Sequence, residues 1–435
     1  MLSPYRLVAP IVHRLPFPPG VLAESLAGRR GAPARWDAWA VEHRGDGPLI
    51  WAHAASVGEQ QVLEPVLHRL LRARPDVRIV QTHTSPSVLP TPCPAAVCHR
   101  DYLPWDEPGA IATTLDALAP ALLLFGRGDL WPELVSSTAA RGIPVAVAGA
   151  TVRAGSARLR TPARLALRDA YRHVRWLGAA TSADAERWSR LGVPAERILV
   201  TGDPRHDCIL ERIADLGPAG AVRAWAGGAP VFVAGSVEPD DDSVLAFALA
   251  RIASTVPALR TVIVPHEVTD TRITRLHARL TGHGLTSGMW HSPAHDALPP
   301  TPVAVVATHG FLPDLYVGAD IAYVGGGFRA GRLHSVAEPA AIGLPVVIGP
   351  RWPRGADAAA MISAGGALAL PAQGTAATLA TIVAQVTRDP AERMRRGLAA
   401  RATLTEGASS ATAGAVLQLL DDDSGPGGRR GHGNH

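Results

Sequence analysis

The chain has 435 residues, 47% of them hydrophobic, with 42 basic and 38 acidic side chains and a formal charge of +4. That length exceeds one ordinary core and predicts two domains of ordinary globular composition. The small net charge gives no reason to expect a nucleic-acid partner. Cys93, Cys98 and Cys208 are too few for a disulfide framework and point to a reducing compartment. No apolar run reaches the roughly 18 residues of a membrane span.

Every basic residue is an arginine. A GC-rich genome accounts for such a bias, and so does anion binding, because arginine grips phosphate and carboxylate bidentately. Residues 1–47 read as an N-terminal, membrane-proximal segment. Its first 17 residues are apolar but broken by Arg6, His13, Arg14 and prolines, without a signal-peptide cleavage pattern. They either lie on a membrane surface, with Leu2, Tyr5, Leu7, Val8, Ile11 and Val12 dipping in, or pack on their own domain.

From residue 48 to 214 strands and helices alternate. Strands are expected at 49–52, 77–81, 121–125, 145–148 and 176–180, and helices at 59–73, 111–117, 134–141, 162–171 and 183–190. This is the signature of an open parallel α/β sheet. The first turn runs from His53 to Glu59 through small residues that allow close backbone approach to a ligand. Glu59 reads either as an ordinary first-turn helix acid or as a carboxylate at the mouth of a strand-end cleft.

Residues 215–229 are Gly- and Ala-rich and read as a linker. A second series comes next, with strands at 230–234, 261–265, 303–306, 321–324 and 345–348 and helices at 242–253, 271–280, 311–317, 335–341 and 356–363. A closing helix is expected before residue 420, and residues 421–435, without apolar content, are expected to be disordered. Two Rossmann-like domains facing across a cleft would bind ligands at their strand ends.

Several motifs of the second half suit a nucleotide. Gly235-Ser236 follows a strand and precedes a helix start, where amides can hold an anion. His266, followed by Glu267, can donate to a phosphate or hold a base. Gly310 opens a helix as a second phosphate cradle. Gly325, Gly326 and Gly327 let backbone pass a ligand, Ser335 is a good helix N-cap, and Glu338 can accept both hydroxyls of a ribose.

Together these residues resemble the Kdo transferase family, which moves 3-deoxy-D-manno-octulosonic acid (Kdo) from its CMP-activated form onto lipid A. The carriers span residues 1–415: Ser56-Val57-Gly58-Glu59, Tyr102-Leu103-Pro104-Trp105-Asp106, Asp129-Leu130-Trp131-Pro132, Gly142-Ile143-Pro144-Val145 and Thr201-Gly202-Asp203-Pro204-Arg205-His206-Asp207. The second half adds Gly235-Ser236, Pro265-His266-Glu267, Gly310, Tyr323-Val324-Gly325-Gly326 and His334-Ser335 with Glu338-Pro339. The resemblance implies a GT-B fold, with an acceptor domain over 48–214 and a CMP-sugar domain over 215–420. It implies inverting transfer without a metal or cofactor, at the cytoplasmic face of the inner membrane, with CMP-Kdo and a lipid A precursor as partners. It makes Glu59 the general base, with Asp129 beside it as a second catalytic acid. It assigns Arg205, Gly235, Ser236, His266, Glu267, Gly310, Gly326, His334, Ser335 and Glu338 to the nucleotide sugar. It assigns Ser56, Thr82, Thr84, Ser85, Arg153 and Ser156 to the acceptor.

The chain departs from the family pattern where Asp129 replaces a glutamate and Ser335 an asparagine. The loop Thr82-His83-Thr84-Ser85-Pro86-Ser87-Val88 lacks the glycine often found at its end. These departures motivate two alternatives. One is a transferase with another acceptor or a related activated sugar acid; the other is a binding protein on a GT-B frame that has lost catalysis.

Overall fold

The computed structural model describes residues 20–217, 220–291, 297–352 and 356–424. The expected membrane-surface stretch of residues 1–17 and all but the start of the tail lie outside them. The described residues form two compact units, one running up to Cys208 and resuming at Thr405, the other Ile209–Leu404.

The first unit holds seven strands: β1 (Leu49–His53), β2 (Arg78–His83), β3 (His99–Tyr102), β4 (Leu122–Gly126), β5 (Val145–Ala150), β6 (Trp176–Ala179) and β7 (Ile198–Val200). All pair in parallel, in the order β3-β2-β1-β4-β5-β6-β7. Strand side chains alternate between faces, and β1 buries both of its sets. Leu49 and Trp51 pack with Trp36, Leu123 and Phe125 on one face. Ile50 and Ala52 pack with Val62, Leu63 and Val66 on the other. Both faces are covered, so the strand reads as an unbroken apolar run.

The second unit repeats the plan with β8 (Val231–Val237), β9 (Arg260–Pro265), β10 (Ser287–Trp290), β11 (Val303–Val306), β12 (Ile321–Val324), β13 (Val346–Ile348) and β14 (Ala367–Ala369). The order is β10-β11-β9-β8-β12-β13-β14, again all parallel. Phe232 and Ala234 enter one core layer and Val231 and Val233 the other.

The strand order reverses between β1 and β4 in the first sheet and between β8 and β12 in the second, where β10 and β11 are also exchanged at the edge. Loops leaving adjacent strands at such a switch point part to opposite faces and leave a crevice at the carboxyl ends. Glu59 follows β1 and Asp129 follows β4. Glu238 follows β8 and Gly325 follows β12.

Four sequence expectations differ from the structure, one of them at the start of the tail, where residues 421–424, expected to be disordered, are helical. The 215–229 linker contains a helix, Gly220–Ala226, whose Val222 and Ala226 are buried with Val231 and Val233. The first boundary, read at residue 214, falls between Cys208 and Ile209. The closing helix, read as part of the second domain, packs on the first unit. It runs Ala408–Ser424 and buries Ala413, Val416 and Leu420 against Val62, Val66 and Leu70. Arg69 bonds Ser410, and Asp207 accepts from the amides of Gly407 and Ser409. Apolar periodicity identifies such a helix but not the sheet it covers.

Candidate active site

The helix Val57–Ala73 starts directly after β1, with Ser56 at its N-cap position. Glu59 sits in its first turn, and the Ala55 amide donates to its Oε2 at 2.6 Å. A glutamate reaching back across the first helical turn is a capping arrangement, so the helix-start role is real. It is not the whole role. The carboxyl is pushed up to about 7, first by burial and then by the charge of Asp129. The Ala55 amide, Arg127 and Arg158 oppose the shift. A carboxyl that titrates near neutrality suits proton transfer.

Asp129 leaves β4 through Gly126-Arg127-Gly128, a tightly constrained turn. Arg127 is left-handed at φ 61°, which costs a non-glycine residue about 1–2 kcal/mol. Gly128 has φ 131°, and a Cβ there would stand 2.3 Å from the Trp188 ring. Arg158 closes the turn by donating to the Gly128 carbonyl at 2.6 Å. Burial raises the Asp129 carboxyl, while Arg158 and Arg29 pull it back. Arg29 is itself buried, with Trp105 and Trp131 rings 4.6 and 4.4 Å from its guanidinium. Asp106 caps the following helix, Pro132–Ala140, by accepting from the amides of Glu133 and Leu134.

Other residues expected to touch the acceptor divide. Thr84 and Ser85 both donate backbone amides to the Ala55 carbonyl, which brings their loop to the Glu59 turn. Ser56 is half-buried there, without a side-chain capping bond. Thr82 is a correction. It is fully buried, and its hydroxyl accepts from Trp51 Nε1 at 2.9 Å and lies 2.9 Å from His53 Nδ1. It holds the ends of β1 and β2 together and presents nothing to a ligand. Ser156 caps the short turn Ala157–Leu159, and Arg153 is exposed in the same loop. Arg205, expected at the nucleotide, lies in the first unit with its guanidinium against Asp203 at 2.7 Å. Asp203 also meets Arg127 at 3.3 Å.

In the second unit the glycines do something other than expected. A Cβ on Gly325 would stand 2.2 Å from the Ser236 carbonyl, and one on Gly326 would stand 2.2 Å from that of Arg332. These positions let loop pass against loop, rather than backbone against ligand. Buried Asp241 locks the assembly, accepting from Tyr323 Oη at 2.7 Å and from the amides of Gly326 and Glu238 at 2.9 and 2.7 Å. Gly235 and Ser236 belong to β8 itself, at a break in register with β9, where Ser236 has φ 51°. Ser335 is not the N-cap, because the helix starts at Ala337 after Val336; its hydroxyl accepts the Ala337 amide at 3.4 Å.

Two groups of expected residues come together in that unit. His266 and His334 lie with ring centroids 4.2 Å apart, and His334 Nε2 meets Glu238 Oε1 at 3.1 Å. Burial lowers the His334 imidazole. Glu267 and Gly326 line the adjoining cavity of about 120 Å³. Elsewhere, the Gly310 carbonyl accepts from Arg212 at 3.4 Å, and burial raises the Glu338 carboxyl against the opposing charge of Arg212. Tyr316 lies against Gly235. Sequence reasoning missed Arg158, Arg212, Glu238 and Asp241; the run Glu238-Pro239-Asp240-Asp241-Asp242 after a strand was the one available signal.

Two parallel seven-stranded sheets, each with a switch-point crevice, define the GT-B class of fold. The fold agrees. A putative UDP-N-acetylglucosamine 2-epimerase from Listeria monocytogenes superposes with a TM-score of 0.58 at 12% identity, over 87% of this chain and 98% of that one. MurG of Acinetobacter baumannii gives 0.56 at 13% identity, over 85% and 99%. Residues 25–208 match the family model described as 3-deoxy-D-manno-octulosonic-acid transferase (kdotransferase). A 3-deoxy-D-manno-octulosonic acid transferase of Bordetella pertussis is 30% identical over 409 residues, 90% of each chain. That of Chlamydophila psittaci is 28% identical over 341 residues, 74% of each. The chain belongs to the Kdo transferase family of glycosyltransferases.

Proposed function

We propose that the chain transfers Kdo from CMP-Kdo to a hydroxyl of a lipid A precursor in lipopolysaccharide synthesis, with inversion and without a metal. The observation that carries the reading is Glu59, a carboxyl held near pKa 7 at the switch point of the first sheet by burial and Asp129. As the acceptor oxygen bonds to the anomeric carbon, its proton passes to Glu59. The bond from that carbon to the CMP phosphate breaks, and the electron pair leaves on the phosphate oxygen. A single displacement of this kind inverts the centre. The leaving charge falls to cationic and amide donors of the second unit, with Arg212 and His266 the leading side chains. Glu338 takes the ribose hydroxyls. Ser56, Thr84 and Ser85 meet the acceptor beside Glu59, with Arg153 reaching its phosphate or the sugar carboxylate.

The acceptor is a lipid, so the site works at a membrane surface, on the cytoplasmic face of the inner membrane. No helix among the described residues is long and apolar enough to cross a membrane. The helix Thr161–Tyr171 offers exposed Leu165 among Arg164 and Arg168, a pattern suited to a lipid headgroup layer.

Mass spectrometry of a lipid A precursor incubated with CMP-Kdo and EDTA-treated protein tests the reading. A product heavier by one or more Kdo residues is expected. Turnover that needs added metal would overturn metal independence. Turnover of CMP-Kdo only with a different acceptor would move the assignment to the related transferase.

A further inference from the structure

We propose that Glu238, His266 and His334 form a binding site for a divalent transition-metal ion, zinc above all. The three side chains leave three separate strand-end loops: Glu238 directly after β8, His266 directly after β9, and His334 after the glycine loop that follows β12. Each offers one ligand atom, and those atoms lie within 4.8 Å of one another. Glu238 Oε1 and His334 Nε2 already stand at 3.1 Å. A hydrogen bond accounts for that pair alone; it does not account for His266 turned against His334 at 4.2 Å between centroids.

The donor set selects the ion. Two imidazoles and one carboxylate are a set that zinc uses when it keeps a fourth position open, with bonds of about 2.0–2.2 Å. Calcium and magnesium want oxygen ligands throughout. Imidazole nitrogen favours zinc, copper and nickel. Ligand atoms of a tetrahedral zinc stand roughly 3.3 Å apart on those bond lengths. The first pair needs little movement, and His266 is exposed. The frame beneath is fixed, because Asp241 bonds the Glu238 amide, the Gly326 amide and Tyr323. Glu267, next in the chain to His266, lines the same cavity as Glu238.

Occupation has a functional consequence, and this consequence rests on the assignment of His266 and His334 to the nucleotide sugar. An ion on the two imidazoles removes both from that donor site. Zinc therefore opposes CMP binding rather than assisting the transfer.

The test is calorimetric titration of the EDTA-treated, dialysed full chain with zinc chloride, with cobalt(II) absorption as a second readout. The expected result is one site lost in both Glu238→Gln and His334→Ala, with zinc bound elsewhere on the chain unchanged, and a weaker tetrahedral cobalt band in both variants. Glu238→Gln keeps side-chain size, and circular dichroism verifies folding of each variant. Equal stoichiometry and equal cobalt spectra in the wild type and both variants would overturn the site. A CMP titration with and without saturating zinc separates the two ideas. At least a tenfold rise in apparent Kd for CMP is expected. Zinc lost with the variants but without effect on CMP would leave the metal site standing and remove His266 and His334 from the donor site.

Discussion

The amide of Ala55 donates to Oε2 of Glu59 at 2.6 Å, so the residue that ends the β1 turn fixes the carboxyl at the head of the next helix. One contact thereby serves helix initiation and orients a group that titrates near 7. Glu59→Gln keeps an oxygen to accept this bond and removes the base. Turnover should fall by about 10²–10⁴-fold, the usual worth of a general base, while CMP affinity and melting temperature stay close to wild type. Single-turnover kinetics beside CMP calorimetry checks both halves.

The pH profile depends on the same carboxyl. The base must be ionised, so kcat/KM should rise with pH and level off above about 7. The Asp129 charge is one cause of the raised value. Asp129→Asn removes a like charge and should move this limb to lower pH. A limb that stays in place would show that burial alone sets the Glu59 titration.

Acid stability carries the opposite sign. Burial, the largest cause, lowers His53 to about 3 and His83 to about 4. An unfolded histidine titrates near 6.5. The unfolded chain therefore binds these protons first, and stability drops as pH falls from about 6.5 toward those values. Each histidine contributes up to about 1.4 kcal/mol per pH unit in that window. Glu59, raised when folded, works the other way and loses its contribution as pH rises through about 7. Neither ring nitrogen of His83 has a hydrogen-bond partner. His83→Leu should flatten the slope of urea midpoints between pH 7 and 5 without a large loss at pH 7.5.

Two glycines should respond in opposite directions. Gly325→Ala drives a Cβ into the Ser236 carbonyl and should part the loops after β8 and β12, costing about 1–3 kcal/mol and weakening CMP binding. Gly414→Ala meets nothing within 4 Å in the helix Ala408–Ser424 and should stabilise by about 0.5–1 kcal/mol. Thermal melts and CMP titrations of the pair distinguish crowding from backbone entropy.

What the sequence hid has a common cause. The strands it left unread are β3, β7, β10 and β14, and these are the four sheet edges. Central strands such as β1 are buried on both faces and spell apolar runs. Edge strands need no such run: β3 reads His-Arg-Asp-Tyr, and β7 leaves Leu199 and Val200 half exposed. Glu59 was legible because strand-end turns announce themselves, and Asp129 only through the family resemblance. Thr82 was misread because hydroxyls look alike whether they face a ligand or lock two strands. The acidic run holding Glu238 and Asp241 was visible but its roles were not, because their partners, His334 and Tyr323, lie 96 and 82 residues away.

The return of the last helix to the first sheet also bears on how the protein is made. Val62, Val66 and Leu70 present a face that Ala413, Val416 and Leu420 cover. The ribosome delivers that cover long after the face it covers. At roughly 5–20 residues per second, the more than 300 residues between them take on the order of tens of seconds. Through that interval the nascent first unit carries an uncapped apolar surface. A chain truncated after Leu404 would keep that surface for its lifetime and be a target for holdase chaperones.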